Sequence, residues 1–243
     1  MSTPGLPANP PNALQILQSQ SLTTLVQREI ERMIVGGELG AGAKLSENAI
    51  AVKLGVSRGP VREALRALEP TGLVRVEKNR GVFVRQISLA EANEIYEVRA
   101  ALDGLIGRLA AERIQPAQLA RLRDIVKRMH GAGRLRDANA YFPLNIEFHN
   151  VLAEAAGNRA LLVNYRRIAN ELNLYRRETL TRNAENIDIS TEDHESIVNA
   201  IAARDAALAQ RLLFEHVINS RERLRLALQN PPARSAKSTR RAA

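Results

Sequence analysis

The stretch from residue 54 to residue 84 limits the possible folds more than any other part of the chain. Its Leu-Gly-Val-Ser segment predicts a tight turn that ends at Ser57, a favoured helix N-cap residue. The helix that follows carries two stripes, because residues four apart in sequence share a helix face. One stripe is basic (Arg58, Arg62, Arg66) and the opposite stripe is apolar (Val61, Ala64, Leu65, Leu68). The pattern therefore predicts an amphipathic helix with one buried and one cationic face.

A short hairpin is predicted after this helix. Two apolar segments, 73–76 and 81–85, enclose a polar and basic tip at 77–80. Another short helix, 46–54, is predicted before the turn, with serine at its N-cap. The order of helix, turn, helix and hairpin predicts a winged helix-turn-helix, whose second helix can enter a DNA major groove and present arginine to guanine. The alternative interpretation is a basic, solvated helix without a nucleic-acid partner.

Four short motifs resemble those of the GntR family of bacterial transcription regulators. They are Ser-Arg-x-Pro-Val-Arg-Glu-Ala-Leu at 57–65, Leu-Glu at 68–69, Gly-Leu-Val at 72–74 and a glycine in the hairpin at 81. The resemblance implies that Arg58 and Arg62 contact bases, and that Ser57 contacts phosphate. It also implies DNA contacts at Asn48, where the best-known branch of the family carries a basic residue, and at Gly59, where many members carry threonine. Further contacts are implied along the wing, at Lys78, Asn79, Arg80 and Gly81.

Charge is spread unevenly over the 243 residues. The net charge is +9, of which +4 lies in residues 21–87, +1 in residues 88–229 and +4 in residues 230–243. A basic module joined to a nearly neutral body fits DNA on one side and a different ligand on the other. The chain has no cysteine, which excludes disulfides and Cys-based zinc fingers. With no apolar run of transmembrane length and no signal pattern, the sequence predicts a cytoplasmic, nucleoid-associated protein.

Four segments are predicted along the chain. They are an uncharged, disordered arm at 1–20, the DNA-binding domain at 21–87, an effector-binding and dimerisation domain at 88–229 and a basic, disordered tail at 230–243. Beyond residue 88 every segment has a 3.6-residue period, and no strand is predicted. We expect helices at 88–114, 116–130, 137–156, 159–184, 191–203 and 205–229. The fold class is therefore mostly α, a winged helix-turn-helix followed by an all-α helical bundle.

Three of the four histidines have spacings that favour a common site. Asn145 and His149 are four residues apart, so both project from one helix face. His194 and His216 lie about ten and eleven residues from a predicted turn at 204–205, which places both roughly 16 Å from the turn in an antiparallel hairpin. Histidines brought to one level could bind a divalent metal ion. The alternative is that they are ordinary core residues.

The helical segment resembles the effector domain of the FadR subfamily. The matching residues are Phe-His at 148–149, Asp-His-Glu-Ser-Ile at 193–197 and a histidine 22 residues after His194, at 216. The resemblance implies a divalent metal ion (Zn or similar) held by Asn145, His149, His194 and His216.

Two positions of this segment bear on the effector. Asn145 stands where metal-binding members carry aspartate, which predicts either weaker metal binding with more positive charge for an anionic effector, or direct effector binding without metal. Arg99 matches an arginine common in this domain. It is expected either to bind a carboxylate of the effector or to form an ordinary salt bridge.

Together these features predict a ligand-responsive transcription regulator and not an enzyme. It would bind a near-palindromic operator as a homodimer and respond to a small organic acid. One alternative is a metal-dependent enzyme with a three-histidine site and a DNA-binding extension. Against it, Glu147 is two residues from Asn145 and should point away, which leaves that site without a general base. A second alternative is an architectural DNA-binding protein without an effector, whose closing helix supplies only dimer contacts.

Overall fold

The computed structural model describes residues 22–182 and 185–229. The arm predicted at 1–20 and the tail predicted at 230–243 lie outside these residues. The chain divides into two compact units, and the boundary along the chain lies between Gln86 and Ile87. The first contains short helices and a small sheet, and the second is helical throughout its described residues, which confirms the predicted fold class. Within the described ranges, no helix combines the length and apolarity needed to span a lipid bilayer.

Three helices of the first unit form the helix-turn-helix. They are α1 (Leu22–Val35), α2 (Glu47–Leu54) and α3 (Arg58–Leu68). The Ser46 hydroxyl accepts a hydrogen bond from the Ala49 amide and caps α2. The turn between α2 and α3 needs glycine, because Gly55 has φ 66°. Helix α3 ends at Leu68, two residues before Pro70, and a 3-10 turn at Glu69–Thr71 follows it.

The wing is a three-stranded antiparallel sheet with strand order β1-β3-β2. The strands are β1 (Lys44–Leu45), β2 (Val74–Glu77) and β3 (Gly81–Val84). The β2–β3 hairpin pairs Val74 with Val84 and Glu77 with Gly81, in agreement with the predicted hairpin. Strand β1 is absent from the sequence prediction. Its two residues have no alternation to detect, and they become a strand by pairing with Val82 and Phe83 of β3.

The described residues of the second unit form six helices. They are α4 (Leu89–Arg113), α5 (Pro116–Arg134), α6 (Ala138–Ala155), α7 (Arg159–Arg182), α8 (Glu185–Ala202) and α9 (Ala206–Gln229). Helix α4 contacts α6, α8 and α9, and α9 also contacts α8. The helices α4 and α9 approach closely at Gly107, where a Cβ atom would collide with the backbone of Ala209. This close pairing brings side chains of four helices to one buried place.

Two helix limits differ from the prediction. Helix α5 continues to Arg134 and not to residue 130, and Gly133 is buried against Ile187 and Asp188. Helix α8 begins at Glu185, whereas the prediction placed its start at Thr191. The Thr191 hydroxyl donates to the Ile187 carbonyl oxygen at 2.7 Å, one turn earlier in the same helix. Threonine therefore bonds back within the helix here, and the helix begins six residues before the predicted start.

Candidate DNA interface and metal centre

Helix α3 presents its arginines on the exposed side of the first unit. Its apolar stripe is buried, as predicted, and α3 packs against α1. The side chains of Arg58 and Arg62 are 62% and 49% exposed. Ser57 occupies the N-cap position with an extended backbone, but its hydroxyl makes no capping hydrogen bond. Gly59 and Asn48 are also exposed, so these predicted contact positions share an accessible surface.

A carboxylate of the preceding helix holds these arginines. Arg62 donates from Nε to Oε1 of Glu47 at 3.0 Å and from Nη2 to Oε2 at 2.8 Å. Nη2 of Arg58 lies 3.7 Å from the same Oε2. The hydrogen bond from Arg62 lowers the pKa of Glu47 and raises that of Arg62. Sequence analysis did not identify this contact, because it joins two different helices.

The wing tip gathers cations around one aromatic ring. Lys78, Asn79, Arg80 and Gly81 are exposed at the β2–β3 turn, and Asn79 and Gly81 have φ 62° and 109°. Three cationic groups lie over or beside the Phe83 ring, at 5.6 Å (Arg75), 5.7 Å (Arg80) and 6.0 Å (Lys44) from its centroid. The tip therefore carries concentrated positive charge on a short, well-paired hairpin.

The three predicted histidines meet inside the second unit. One ligand atom from each of His149 (α6), His194 (α8) and His216 (α9) lies within 4.8 Å of the other two. The His194 and His216 ring centroids are 4.6 Å apart, as the equal-height argument predicted for the α8–α9 hairpin. All three side chains are buried, with at most 2% exposure. Together these three histidines are called the histidine cluster below.

Asn145 is a further buried polar residue, one turn before His149 in α6. It is 1% exposed, and its Oδ1 has no hydrogen-bond partner among the described residues. A buried amide oxygen without a partner is costly, so a cation at this position would remove a real penalty. Three imidazole nitrogens and one amide oxygen are donors that suit a divalent ion such as zinc. The residues present therefore fit a metal ion.

Arg99 forms a buried salt bridge and retains unused donors. Its Nε lies 3.2 Å from Oδ2 of Asp103, and both side chains are 1% exposed. Burial is the largest influence and acts to lower the pKa of Arg99, but the charge and hydrogen bond of Asp103, together with Tyr165 and Tyr96, outweigh it and the net shift is upward. Nη1 and Nη2 of Arg99 are buried and have no hydrogen-bond partner in the described part of the chain. Arg99 therefore forms the salt bridge that the sequence analysis considered, and it still has two N–H groups that could bind a carboxylate of an effector.

Four residues near the histidine cluster were missed by sequence reasoning. The histidines are contacted by Asp103, Tyr141 and Asp193. The fourth residue, Arg223, contacts Asp193. The Arg99–Asp103 spacing of four residues was a detectable signal for one ion pair. No local signal reveals the contacts with the histidines, because they form between helices.

Glu147 does not supply a general base to this site. Glu147 faces away, as predicted, and its Oε1 pairs with Nη2 of Arg121 at 2.9 Å. The fourth histidine, His130, lies outside the cluster and contacts Glu195 at 3.2 Å. The arrangement suits binding of a cation and an anion more than acid–base chemistry.

Comparison with known families matches both units. Residues 13–84 match the bacterial regulatory proteins of the gntR family, and residues 94–219 match the FCD domain. The probable D-xylose utilization operon transcriptional repressor of Paenarthrobacter nicotinovorans is 32% identical over 83% of this chain and 88% of its own length. The HTH-type transcriptional regulator LutR of Bacillus subtilis is 31% identical over 77% of this chain and 94% of its own length.

Solved structures show the same fold. A putative GntR transcriptional regulator from Rhodococcus sp. RHA1 has a TM-score of 0.69 and 27% identity, and the match covers 86% of this chain and 99% of that one. The structure of McbR/YncC from E. coli has a TM-score of 0.77 over the same shares of the two chains. At 22% identity, the latter similarity concerns the fold alone.

Proposed function

The chain belongs to the GntR family of bacterial regulatory proteins and is a transcription regulator with a ligand-binding FCD domain, and on this premise we propose that it is a homodimer that binds a near-palindromic operator and responds to an organic acid that binds with the help of a metal ion. The similar proteins are regulators, and the enzyme alternative has no support among them. The proposal assigns residues 21–87 to DNA and residues 88–229 to effector binding and dimerisation. It places the protein in the cytoplasm, where its operator is.

The proposed DNA contacts follow from the exposed surface of α3 and the wing. Arg58 and Arg62 stand near the N-terminus of α3, the part of a recognition helix that reaches base edges. The Ser57 hydroxyl is free of a capping bond and would bind phosphate, together with Asn48 and the position of Gly59. The wing residues (Lys78, Asn79, Arg80, Gly81) would lie near the adjacent minor groove.

The proposed metal site consists of the histidine cluster and Asn145. The single observation that carries it is the convergence of three buried histidines from three helices. One turn before His149, a buried amide oxygen has no hydrogen-bond partner among the described residues. When bound, a divalent ion supplies a positive charge and an open coordination position for an anionic ligand. Because Asn145 is neutral where aspartate is usual, the site keeps one more positive charge for that ligand.

Arg99 is the proposed second anchor of the effector. Its buried Nη1 and Nη2 can donate in parallel to one carboxylate, while Nε remains on Asp103. An effector held here would contact α4, the first helix after the unit boundary. Its binding would bias the placement of the two DNA-binding units of the dimer and so change operator affinity. The architectural alternative, with no effector, predicts no such change.

Metal analysis of the purified full-length protein tests the cluster. We expect about one zinc ion per chain after reconstitution, and none in His194→Ala. At a zinc concentration of about 100 times Kd, binding should stabilise the wild type by about 2.7 kcal/mol and raise its Tm by about 5–11 °C. His130→Ala, which removes the histidine outside the cluster, should behave as the wild type. Wild-type protein without zinc after reconstitution would contradict the metal site.

Asn145→Asp tests whether metal and effector share the site. The added carboxylate should raise zinc affinity and reduce the binding of small carboxylates, because it lowers the local net charge by one. Calorimetry with zinc, and then with a panel of mono- and dicarboxylates, measures the two effects. They must change in opposite directions if the effector binds at the metal. An unchanged carboxylate response in metal-free His194→Ala would instead indicate direct binding without metal.

A further inference from the structure

Each histidine of the cluster directs its Nδ1 atom to a polar atom of another residue. Nδ1 of His149 lies 3.4 Å from Oδ1 of Asp103, and Nδ1 of His216 lies 3.0 Å from Oδ2 of Asp193. Nδ1 of His194 lies 3.4 Å from the Tyr141 hydroxyl. The same ring nitrogen therefore faces a polar atom in all three residues. The contact is a hydrogen bond at His194 and His216, and at His149 it is a close approach without hydrogen-bond geometry.

Each of the two carboxylates is also held by an arginine. Nε of Arg99 lies 3.2 Å from Oδ2 of Asp103, the oxygen that does not face His149. Nη1 of Arg223 lies 3.8 Å from Oδ2 of Asp193, and the Arg223 side chain is only 15% exposed. Two series of contacts, each of an arginine, an aspartate and a histidine, thus converge on the cluster. In the first, the arginine and aspartate belong to α4 and the histidine to α6. In the second, the arginine and histidine belong to α9 and the aspartate to α8.

A carboxylate beside Nδ1 determines which nitrogen of the ring can bind a metal. When Nδ1 donates its proton to the carboxylate, Nε2 keeps its lone pair and the ring is fixed in one orientation. An arginine lies behind each carboxylate and places a positive charge beside it. The ring is then oriented before a metal ion arrives.

We infer that Asp103 and Asp193 are positioning residues of the metal centre, which fix His149 and His216 in the tautomer that presents Nε2 to the ion. The inference rests on the proposed metal site and adds residues that act through the histidines. Among the described residues, the ligand atoms that lie within 4.8 Å of one another come from the histidines alone. This geometry favours a positioning role for the two aspartates over direct coordination.

The ring nitrogens can be observed directly in the unmodified protein. The full-length chain, labelled with 15N-histidine and loaded with Zn2+, should show metal-bound Nε2 and protonated Nδ1 for His149 and His216. Coordination of zinc through Nδ1 of either residue would overturn the inference. This measurement needs no substitution, so it does not depend on a variant that folds.

Asp193→Asn tests the energetic consequence. Zn2+ affinity, measured by chelator competition, should fall by about 10–100-fold. The absorption spectrum of the Co2+ form should keep the wild-type coordination number, whereas His216→Ala should change it. Glu195→Gln is the matched control, because it replaces an exposed carboxylate of α8 that contacts His130 outside the cluster, and it should leave affinity within about twofold.

The outcomes separate this inference from the proposed function. Wild-type protein that binds no Zn2+ would refute the metal site itself, and the inference with it. Wild-type binding together with an unchanged affinity in Asp193→Asn would refute only the positioning role. A changed Co2+ coordination number in Asp193→Asn would make that residue a direct ligand, which also refutes the positioning role.

Discussion

Replacing Arg62 with alanine gives the sharpest test of the proposed DNA interface. In the free protein, its guanidinium is half exposed and forms two hydrogen bonds with Glu47. An exposed ion pair of this kind contributes little to folding, because water screens it. The substitution should therefore leave the fold intact, and any large loss of DNA binding must come from a contact made with DNA.

The expected loss follows from the kind of contact. A bidentate contact between arginine and guanine discriminates against other bases by about 1–3 kcal/mol, or about 5- to 150-fold in affinity. Arg62→Ala should lose this factor on the preferred sequence and relax the preference at one base pair per half-site. Lys78→Ala should instead weaken binding to all sequences about equally and reduce the salt slope by about one, since a wing lysine contacts phosphate.

The assay is selection of binding sites from a random DNA library, followed by fluorescence anisotropy at several salt concentrations. Arg108→Ala is a matched control, because it removes an exposed arginine of α4 that pairs with Glu112 at 3.2 Å. It should change neither sequence preference nor salt slope. If Arg62→Ala selected the same sequences as the wild type with undiminished preference, the assignment of α3 as the recognition helix would be refuted.

Three further predictions concern the two units. Residues 88–229 expressed alone should form a helical dimer without DNA affinity, since their charge nearly cancels, and a monomer in sedimentation at micromolar concentration would contradict the symmetric operator. Gly59→Thr should change stability by less than about 0.5 kcal/mol, because a Cβ atom there meets nothing within 4 Å, and should tighten DNA binding; unchanged anisotropy would argue against a contact at 59. Gly107→Ala should destabilise by about 1–3 kcal/mol in thermal denaturation because it collides with Ala209, whereas Gly131→Ala, a control with open space, should not.

Local patterns were sufficient for the elements that local chemistry determines. The turn at Gly55, the cap at Ser46 and the early end of α3 at Pro70 all follow from single residues with strong backbone preferences. The approach of His194 to His216 was also predictable, because a short turn between two helices fixes which residues lie at equal height. The start of α8 was not predictable from the sequence. A threonine hydroxyl can accept from a backbone amide at a helix N-terminus, or donate to a carbonyl oxygen of the preceding turn as Thr191 does.

Contacts between helices far apart in sequence set the limit of prediction. Arg99 and Asp103 are recognisable as a pair four residues apart, but the approach of Asp103 to His149 depends on how α4 packs on α6. Likewise, Glu47 is recognisable from the sequence as an acidic residue in the first turn of α2. Its hydrogen bonds with Arg62 depend on how α2 and α3 pack together. Periodicity predicts which face is buried, and it does not predict the partner.

The placement of Asp103 and Asp193 bears on the proposal that a neutral residue at 145 would favour an anionic effector. Four neutral donors would leave a divalent ion with its full charge, and Asp103 and Asp193 already share theirs with arginines and histidines. A carboxylate that enters the site would then be the first anion to contact the ion directly, in surroundings where weak screening strengthens the attraction. Anion binding should therefore depend steeply on the metal, and by reciprocity a bound anion should hold the metal more tightly.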